Sequence, residues 1–249
     1  MSTEPRGLTE GPTAIGAPGQ DRSAPAENEI HHDDVRPIVA WYLVALVGLI
    51  GFVGLTVFIA SHGVVPFDQP LLDRARAYSV YHDLWDLLSN AAYLPLIAIG
   101  VGLVVWLFVK RQRREAVLVT LILAAITAGS EAIKQLVARP RPPGSDTVVP
   151  GVVYSYPSGH VLEAVAIFGI IAILLWRSSQ PLWLRAGFAI AVAVFVVALA
   201  VARVAINAHY PSDVLAGFLA GIGVLGLFAV LTSDRGRANG TADRTRASS

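Results

Sequence analysis

The chain has 249 residues, of which 54% are hydrophobic and 15% are charged, with 19 Lys and Arg against 18 Asp and Glu. A soluble domain averages about 25% charged residues, so this composition excludes an ordinary soluble enzyme. The net charge of +1 argues against nucleic acid as a partner, and the absence of cysteine excludes disulfides, thiol catalysis and cysteine metal ligands.

The chain begins with a polar segment, residues 1–37, that is rich in Pro, Gly, Ser and acidic residues and shows no apolar period. This composition is typical of a disordered tail, and we predict a second disordered tail at residues 233–249. The first segment lacks the basic start, short apolar run and cleavage site of a signal peptide. The sequence therefore predicts one membrane domain over residues 38–232.

Six apolar runs within this domain are each long enough to cross a bilayer as a helix. They are residues 38–60, 90–109, 115–133, 159–176, 183–206 and 212–232. The stretch 61–89 instead mixes acidic and basic residues with Leu, Tyr and Trp, a pattern typical of an amphipathic helix at the membrane interface. The predicted fold class is all-α, an integral membrane six-helix bundle with an interfacial amphipathic helix after the first span.

The Lys and Arg residues predict the orientation, because they are enriched on the cytoplasmic side of membrane proteins. With both tails inside, thirteen of the 19 are cytoplasmic, including the cluster Lys110–Arg114 in one short loop. We therefore predict a multi-pass protein of the plasma or inner membrane with both termini in the cytoplasm. Four of the six outer cations, Lys134, Arg139, Arg141 and Arg203, belong to the polar segments described next.

Three polar segments lie at the outer ends of the predicted spans. They are Lys134-Gln-Leu-Val-Ala-Arg139-Pro-Arg141-Pro142, Tyr156-Pro157-Ser158-Gly159-His160 and Arg203-Val-Ala-Ile-Asn-Ala-His209-Tyr-Pro-Ser-Asp213. Charged groups are costly near lipid, so their convergence on one membrane face predicts a functional site. Each segment also has a purely structural interpretation, as snorkelling cations, as a Ser N-cap or as a His–Asp pair at a helix start. The occurrence of all three segments on one membrane face favours a functional site over these structural interpretations.

The cations and the glycine indicate that the site binds phosphate. Arg141 and Arg203 can each hold two phosphate oxygens, and Lys134 supplies a point charge. Ser158 precedes a helix start, so the backbone N–H of Gly159 points at an anion with the support of the helix dipole.

The histidines indicate that the bound phosphate reacts. His209 and Asp213 would share one face of a helical turn, where the carboxylate fixes the tautomer of a nucleophilic imidazole. His160 then remains as general acid and base.

The combined pattern resembles the type-2 phosphatidic acid phosphatase (lipid phosphate phosphatase) superfamily, which includes undecaprenyl-diphosphate phosphatases. The matching residues are Lys134 and Arg141-Pro142, then Pro157-Ser158-Gly159-His160, then Arg203, His209 and Asp213. The resemblance covers residues from about 60 to 232. One departure is Ala202, where the family usually has Ser before the arginine, and Arg139 is an additional cation of unassigned role.

The resemblance implies a membrane phosphatase that acts on a lipid phosphate or diphosphate without metal or cofactor. The implied catalytic residues are His209, His160 and Asp213, and the implied phosphate-binding residues are Lys134, Arg141, Ser158, Gly159 and Arg203. His209 would form a phosphohistidine, and His160 would protonate the leaving oxygen and then activate water. The active site would face the outer side of the membrane.

Two alternatives stay open at this stage. The chain could transfer phosphate from a lipid diphosphate to an acceptor other than water, or it could bind or transport an anionic lipid without catalysis. The sequence predicts neither the lipid nor the oligomeric state, and it leaves the roles of Glu131 and Glu163 open.

Overall fold

The computed structural model describes residues 36–77, 81–90, 93–145 and 153–233. The predicted tails lie outside these residues except at their inner edges, so their disorder stays a prediction. At the first edge, Arg36 and Pro37 begin a helix instead of ending a tail.

Eight α-helices are found among the described residues. They are α1 (Arg36–His62), α2 (Asp68–Arg76), α3 (His82–Asn90), α4 (Tyr93–Val109), α5 (Arg113–Val137), α6 (Gly159–Trp176), α7 (Leu182–Ala205) and α8 (Pro211–Leu231). Six stretches are long and apolar enough to cross a membrane: Ile38–His62, Asp83–Val109, Arg113–Val137, Gly159–Trp176, Leu182–Ala205 and Pro211–Leu231. The predicted all-α, six-span architecture is confirmed, although the second candidate span begins at Asp83 and not at residue 90.

The predicted interfacial segment, 61–89, contains two short helices. In α2, Asp68 and Leu72 are buried, and the helix contacts α7 and α8. Helix α3 packs against α7. Both short helices therefore pack against the long helices, and Asp68 of α2 reaches the start of α8.

Helix α6 lies at the centre of the described bundle, because it packs against α4, α5, α7 and α8. Its Val161 and Val165 are buried together with Leu96 of α4 and Leu199 of α7. Helix α1 lies outside this core and packs mainly along α8. The α1 and α8 backbones approach closely at Gly48, where an added Cβ would lie 2.4 Å from the backbone nitrogen of Gly223.

Helix α5 ends where its sequence requires it to end. Ala138 adopts a left-handed conformation with φ of 48°, and its N–H bonds the carbonyl of Lys134. Pro140 follows, and a residue before proline is disfavoured in the helical conformation. Alternation of the long helices then places the end of α5, the start of α6, the end of α7 and the start of α8 at the same end of the bundle.

Candidate active site

Backbone hydrogen bonds join the three polar segments at this end. The N–H of Ser155 donates to the carbonyl of Arg139 at 2.9 Å, and the N–H of Ser158 donates to the carbonyl of Asp213 at 3.0 Å. Within the third segment, the N–H of His209 donates to the carbonyl of Arg203 at 3.2 Å. The predicted convergence of the segments is therefore present in the fold.

A glycine permits the contact between the starts of α6 and α8. A Cβ added at Gly217 would lie 2.5 Å from the carbonyl oxygen of Ser158. Real Cβ atoms do not approach so closely, so only glycine lets α8 lie against the Ser158–Gly159 turn without a shift.

The imidazole of His209 is buried and held by one strong hydrogen bond. Its Nδ1 lies 2.7 Å from the carbonyl oxygen of Ser155. A carbonyl oxygen only accepts, so Nδ1 carries the proton and Nε2 carries the lone pair. Burial lowers the pKa of His209 well below 6.5, and the charges of Arg203 and Arg141 lower the pKa further, so the ring is neutral at pH 7.

Asp213 is placed differently from the sequence prediction. Its Oδ2 lies 3.8 Å from Nδ1 of His209, which is too far for a hydrogen bond. Oδ2 instead accepts from the backbone N–H of Tyr210 at 2.9 Å, while Oδ1 accepts from Arg139. The backbone carbonyl of Ser155, which the sequence did not single out, orients the imidazole.

Sequence reasoning also missed a buried network around Arg139. Its Nη2 donates to Asp68 at 2.7 Å and its Nη1 donates to the hydroxyl of Ser212 at 2.8 Å. Asp68 in turn accepts from the backbone N–H and the hydroxyl of Ser212, at 2.8 and 2.7 Å. Burial lowers the pKa of Arg139, but the carboxylates of Asp213 and Asp68 outweigh burial, so the pKa is raised overall.

The predicted cations lie at the same end of the bundle as the two histidines. Arg203 is buried in the last turn of α7, and Nη1 of Arg141 donates to the carbonyl of Ala208 at 2.8 Å, next to His209. The charges of Arg203, Arg141 and Lys134 act on both His209 and His160. The ring of His160, in the first turn of α6, has its centroid 5.1 Å from that of Tyr93.

The start of α6, at Ser158 and Gly159, is suited to binding an anion. Ser158 occupies the N-cap position, yet its side chain makes no capping bond. Its hydroxyl is buried and has no hydrogen-bond partner among the described residues. A Cβ added at Gly159 would lie 3.9 Å from Nζ of Lys134, so the space beside this glycine is bordered by an ammonium group. Lys134 also pairs with the exposed carboxylate of Glu131.

The eight predicted site residues therefore lie at one end of the described bundle. A neutral imidazole, whose unprotonated nitrogen is Nε2, lies at the same end as the cations and the start of α6. Such an arrangement can bind an anion with several oxygens and attack its central atom.

The chain is similar to known proteins in sequence and in fold. The model of the PAP2 superfamily matches residues 115–237, which include all eight predicted site residues. Phosphatidylglycerophosphatase B of Bacillus subtilis (strain 168) is 29% identical over 164 residues, which are 65% of this chain and 76% of that protein.

The chain also matches two solved structures, of which the first resembles the fold. The crystal structure of a transmembrane PAP2-type phosphatidylglycerolphosphate phosphatase from Bacillus subtilis superposes with a TM-score of 0.58 at 24% identity, and the match covers 77% of this chain and 96% of that one. The crystal structure of Aquifex aeolicus LpxE gives a TM-score of 0.44 at 19% identity, with 66% of this chain and 96% of that one covered.

Proposed function

We propose that the chain, whose residues 115–237 match the PAP2 superfamily model, is a membrane phosphatase that hydrolyses a lipid phosphate or lipid diphosphate through a phosphohistidine. The observation that carries this proposal is the state of His209. Its Nδ1–H is held by Ser155, which leaves a neutral Nε2 as the nucleophile.

The first step forms a bond between Nε2 of His209 and phosphorus and breaks the bond between phosphorus and the leaving oxygen. The leaving oxygen takes the electron pair of that bond and a proton from His160, which enters the step protonated because the negative phosphate bound beside it favours the charged imidazolium. Lys134, Arg141 and Arg203 hold the non-bridging oxygens, together with the Ser158 hydroxyl and the Gly159 amide. Catalysis comes mainly from positioning and electrostatic stabilisation, as expected for phosphoryl transfer.

The second step returns the enzyme to its starting state. His160 removes a proton from water, and the water oxygen attacks phosphorus. The bond between phosphorus and Nε2 of His209 breaks, and inorganic phosphate leaves. None of these steps is assigned to a metal ion.

The proposal extends to the identity of the substrate lipid. The curated relative is named for phosphatidylglycerol phosphate, which makes that lipid the first to test. An isoprenoid diphosphate and phosphatidate are the next candidates, because both present a terminal phosphate at the membrane surface. We propose that the site faces the outer leaflet, which the predicted cytoplasmic excess of Lys and Arg supports.

Phosphate release from these three lipids by the purified protein in excess chelator tests the function. We expect turnover of at least one lipid, loss of that turnover in His209→Ala, and wild-type turnover in the control His62→Ala, which changes an exposed histidine. Acid-labile label from radioactive substrate should attach to wild-type protein and not to His209→Ala. Binding of lipid without release of phosphate would instead indicate a non-catalytic protein, and transfer of the label to an added alcohol would indicate a phosphotransferase.

A further inference from the structure

An apolar groove of about 400 Å³ lies between α1, α5 and α8. This volume is within the range of about 300–1,000 Å³ that is typical of ligand pockets. Its wall is formed largely by aliphatic and aromatic side chains, among them Leu46, Leu49, Phe52, Ile126 and Leu227. Charged residues do not contribute to the described wall, so a headgroup has no counter-charge inside it.

The groove runs along the helices. It exists because α1 packs along α8 and scarcely touches α5. Its wall extends along α1 from Tyr42 to Phe52 and along α5 from Ala125 to Ile133. At a rise of 1.5 Å per residue these stretches are about 15 and 12 Å long, so the groove has the direction of a lipid chain in the bilayer.

One part of the groove wall borders the candidate active site. Pro157, next to Ser158, lines the groove, and so does Ser130 of α5. The hydroxyl of Ser130 is buried and has no hydrogen-bond partner in the described part of the chain. A Cβ added at Gly159 would lie 3.7 Å from this hydroxyl oxygen. The groove therefore extends to residues that border the start of α6, where the phosphate is proposed to bind.

We propose that the groove binds one hydrocarbon chain of the substrate lipid, with the polar end of the chain at Ser130. This inference rests on the proposed function. A chain gains little hydrophobic free energy on moving from bilayer to groove, because both surroundings are apolar. The groove instead fixes the depth and direction of the lipid and so delivers its phosphate to the cations. The groove therefore affects the turnover of lipid substrates and not the turnover of soluble phosphate esters.

Filling the groove from Gly129 provides the test. Gly129 lines the groove, and a Cβ added there meets no atom within 4 Å, so a larger side chain enters empty space. The matched control is Gly102 in α4, where an added Cβ also meets nothing within 4 Å. Purified wild-type protein, Gly129→Phe and Gly102→Phe are assayed in detergent with dioleoyl phosphatidate, or the preferred lipid once known, and with p-nitrophenyl phosphate.

We expect Gly129→Phe to lower kcat/KM for the lipid at least tenfold while kcat/KM for p-nitrophenyl phosphate stays within twofold of wild type. Gly102→Phe should match wild type with both substrates. If Gly129→Phe fails to fold, Ala125→Leu, one turn away on the same wall, carries the same expectation. Unchanged lipid turnover, or an equal loss with both substrates, overturns the groove as a chain site. A wild type that releases phosphate from no lipid overturns the proposed function itself.

Discussion

Asp68 and Arg139, 71 positions apart in the chain, form a buried ion pair with 2.7 Å between Oδ2 of Asp68 and Nη2 of Arg139. Through its other terminal nitrogen the same arginine bonds Asp213 at the start of α8. The guanidinium also lies 4.2 Å from the ring centroid of Tyr210. Arg139 thus connects α2 to the turn that follows His209.

Removal of this arginine should destabilise the protein. Arg139→Leu leaves the carboxylates of Asp68 and Asp213 buried without their counter-charge, and breaking a buried pair in this way costs about 3–5 kcal/mol. We expect a clearly lower melting temperature of the detergent-solubilised protein, together with lower phosphatase activity. Arg74→Leu removes an exposed arginine of the same α2 helix and should melt like wild type. Equal melting temperatures for the two variants would contradict the role of Arg139.

Substitution of His209 and substitution of His160 should block different chemical steps. A p-nitrophenolate leaving group needs no proton, so His160→Ala should still form the phosphohistidine from p-nitrophenyl phosphate. Hydrolysis of that intermediate still needs a base for water, and loss of a general base costs about 10²–10⁴-fold in rate. Phosphorylated protein should therefore accumulate in His160→Ala in rapid-quench experiments. His209→Ala should carry no label, and a His160→Ala protein that turns over without accumulation would argue against the assigned base.

Much of this organisation was predictable from the sequence, because hydrophobic run length and motif spacing are local properties. The six spans and the convergence of Lys134, Ser158 and His209 follow from them. The partner of His209 was not predictable, because the carbonyl that holds the ring belongs to Ser155, and every residue has a carbonyl. Asp68 was missed for a related reason. Its partner depends on how α2 packs against the bundle, and the spacing of residues in the sequence does not indicate that packing.

The orientation of the protein is open to direct measurement. The natural sequence has no cysteine, so a single introduced thiol reports only its own position. Val153→Cys places an exposed thiol at the active-site end, and Ser179→Cys places an exposed one in the loop between α6 and α7 at the other end. We expect a membrane-impermeant maleimide to label Val153→Cys in intact cells and Ser179→Cys only after permeabilisation. The reverse pattern would place the site in the cytoplasm.

Because His209 is buried, the stability of the protein should depend on pH. In the folded protein its pKa is lowered well below 6.5, whereas in the unfolded chain its pKa is about 6.5. Below pH 6.5 the unfolded chain therefore binds the additional proton, and the free energy of unfolding falls as the pH falls. This contribution is at most about 1.4 kcal/mol for each pH unit.

His209→Gln removes this titration and leaves an uncharged side chain that can form hydrogen bonds. Between about pH 7.5 and 5.5, the wild-type melting temperature should fall more steeply than that of His209→Gln. Exposed histidines such as His62 are present in both proteins, so they contribute equally to the two profiles. Parallel profiles would show that the ring is not held neutral by the fold.

The contact between α6 and α8 should tolerate no added methyl group at Gly217. A Cβ there would lie 2.5 Å from the carbonyl oxygen of Ser158, so Gly217→Ala must push the start of α6 away from α8. The displacement moves Ser158 and Gly159 relative to His209, and small misplacements of reacting groups are costly, with losses of about 10²-fold for a shift near 1 Å. We expect a strong fall in kcat and a lower melting temperature.

Gly187 of α7 supplies the matched control, because a Cβ added there meets nothing within 4 Å. Alanine is about 1 kcal/mol more favourable than glycine inside a helix, so Gly187→Ala should be as stable as wild type or more stable, with unchanged kcat. The same intrinsic preference for alanine applies at Gly217. A measured loss of stability in Gly217→Ala is therefore the cost of the clash with Ser158 minus this gain. If Gly217→Ala kept wild-type kcat and stability, the start of α6 could shift without consequence, and the phosphate site would not depend on this contact.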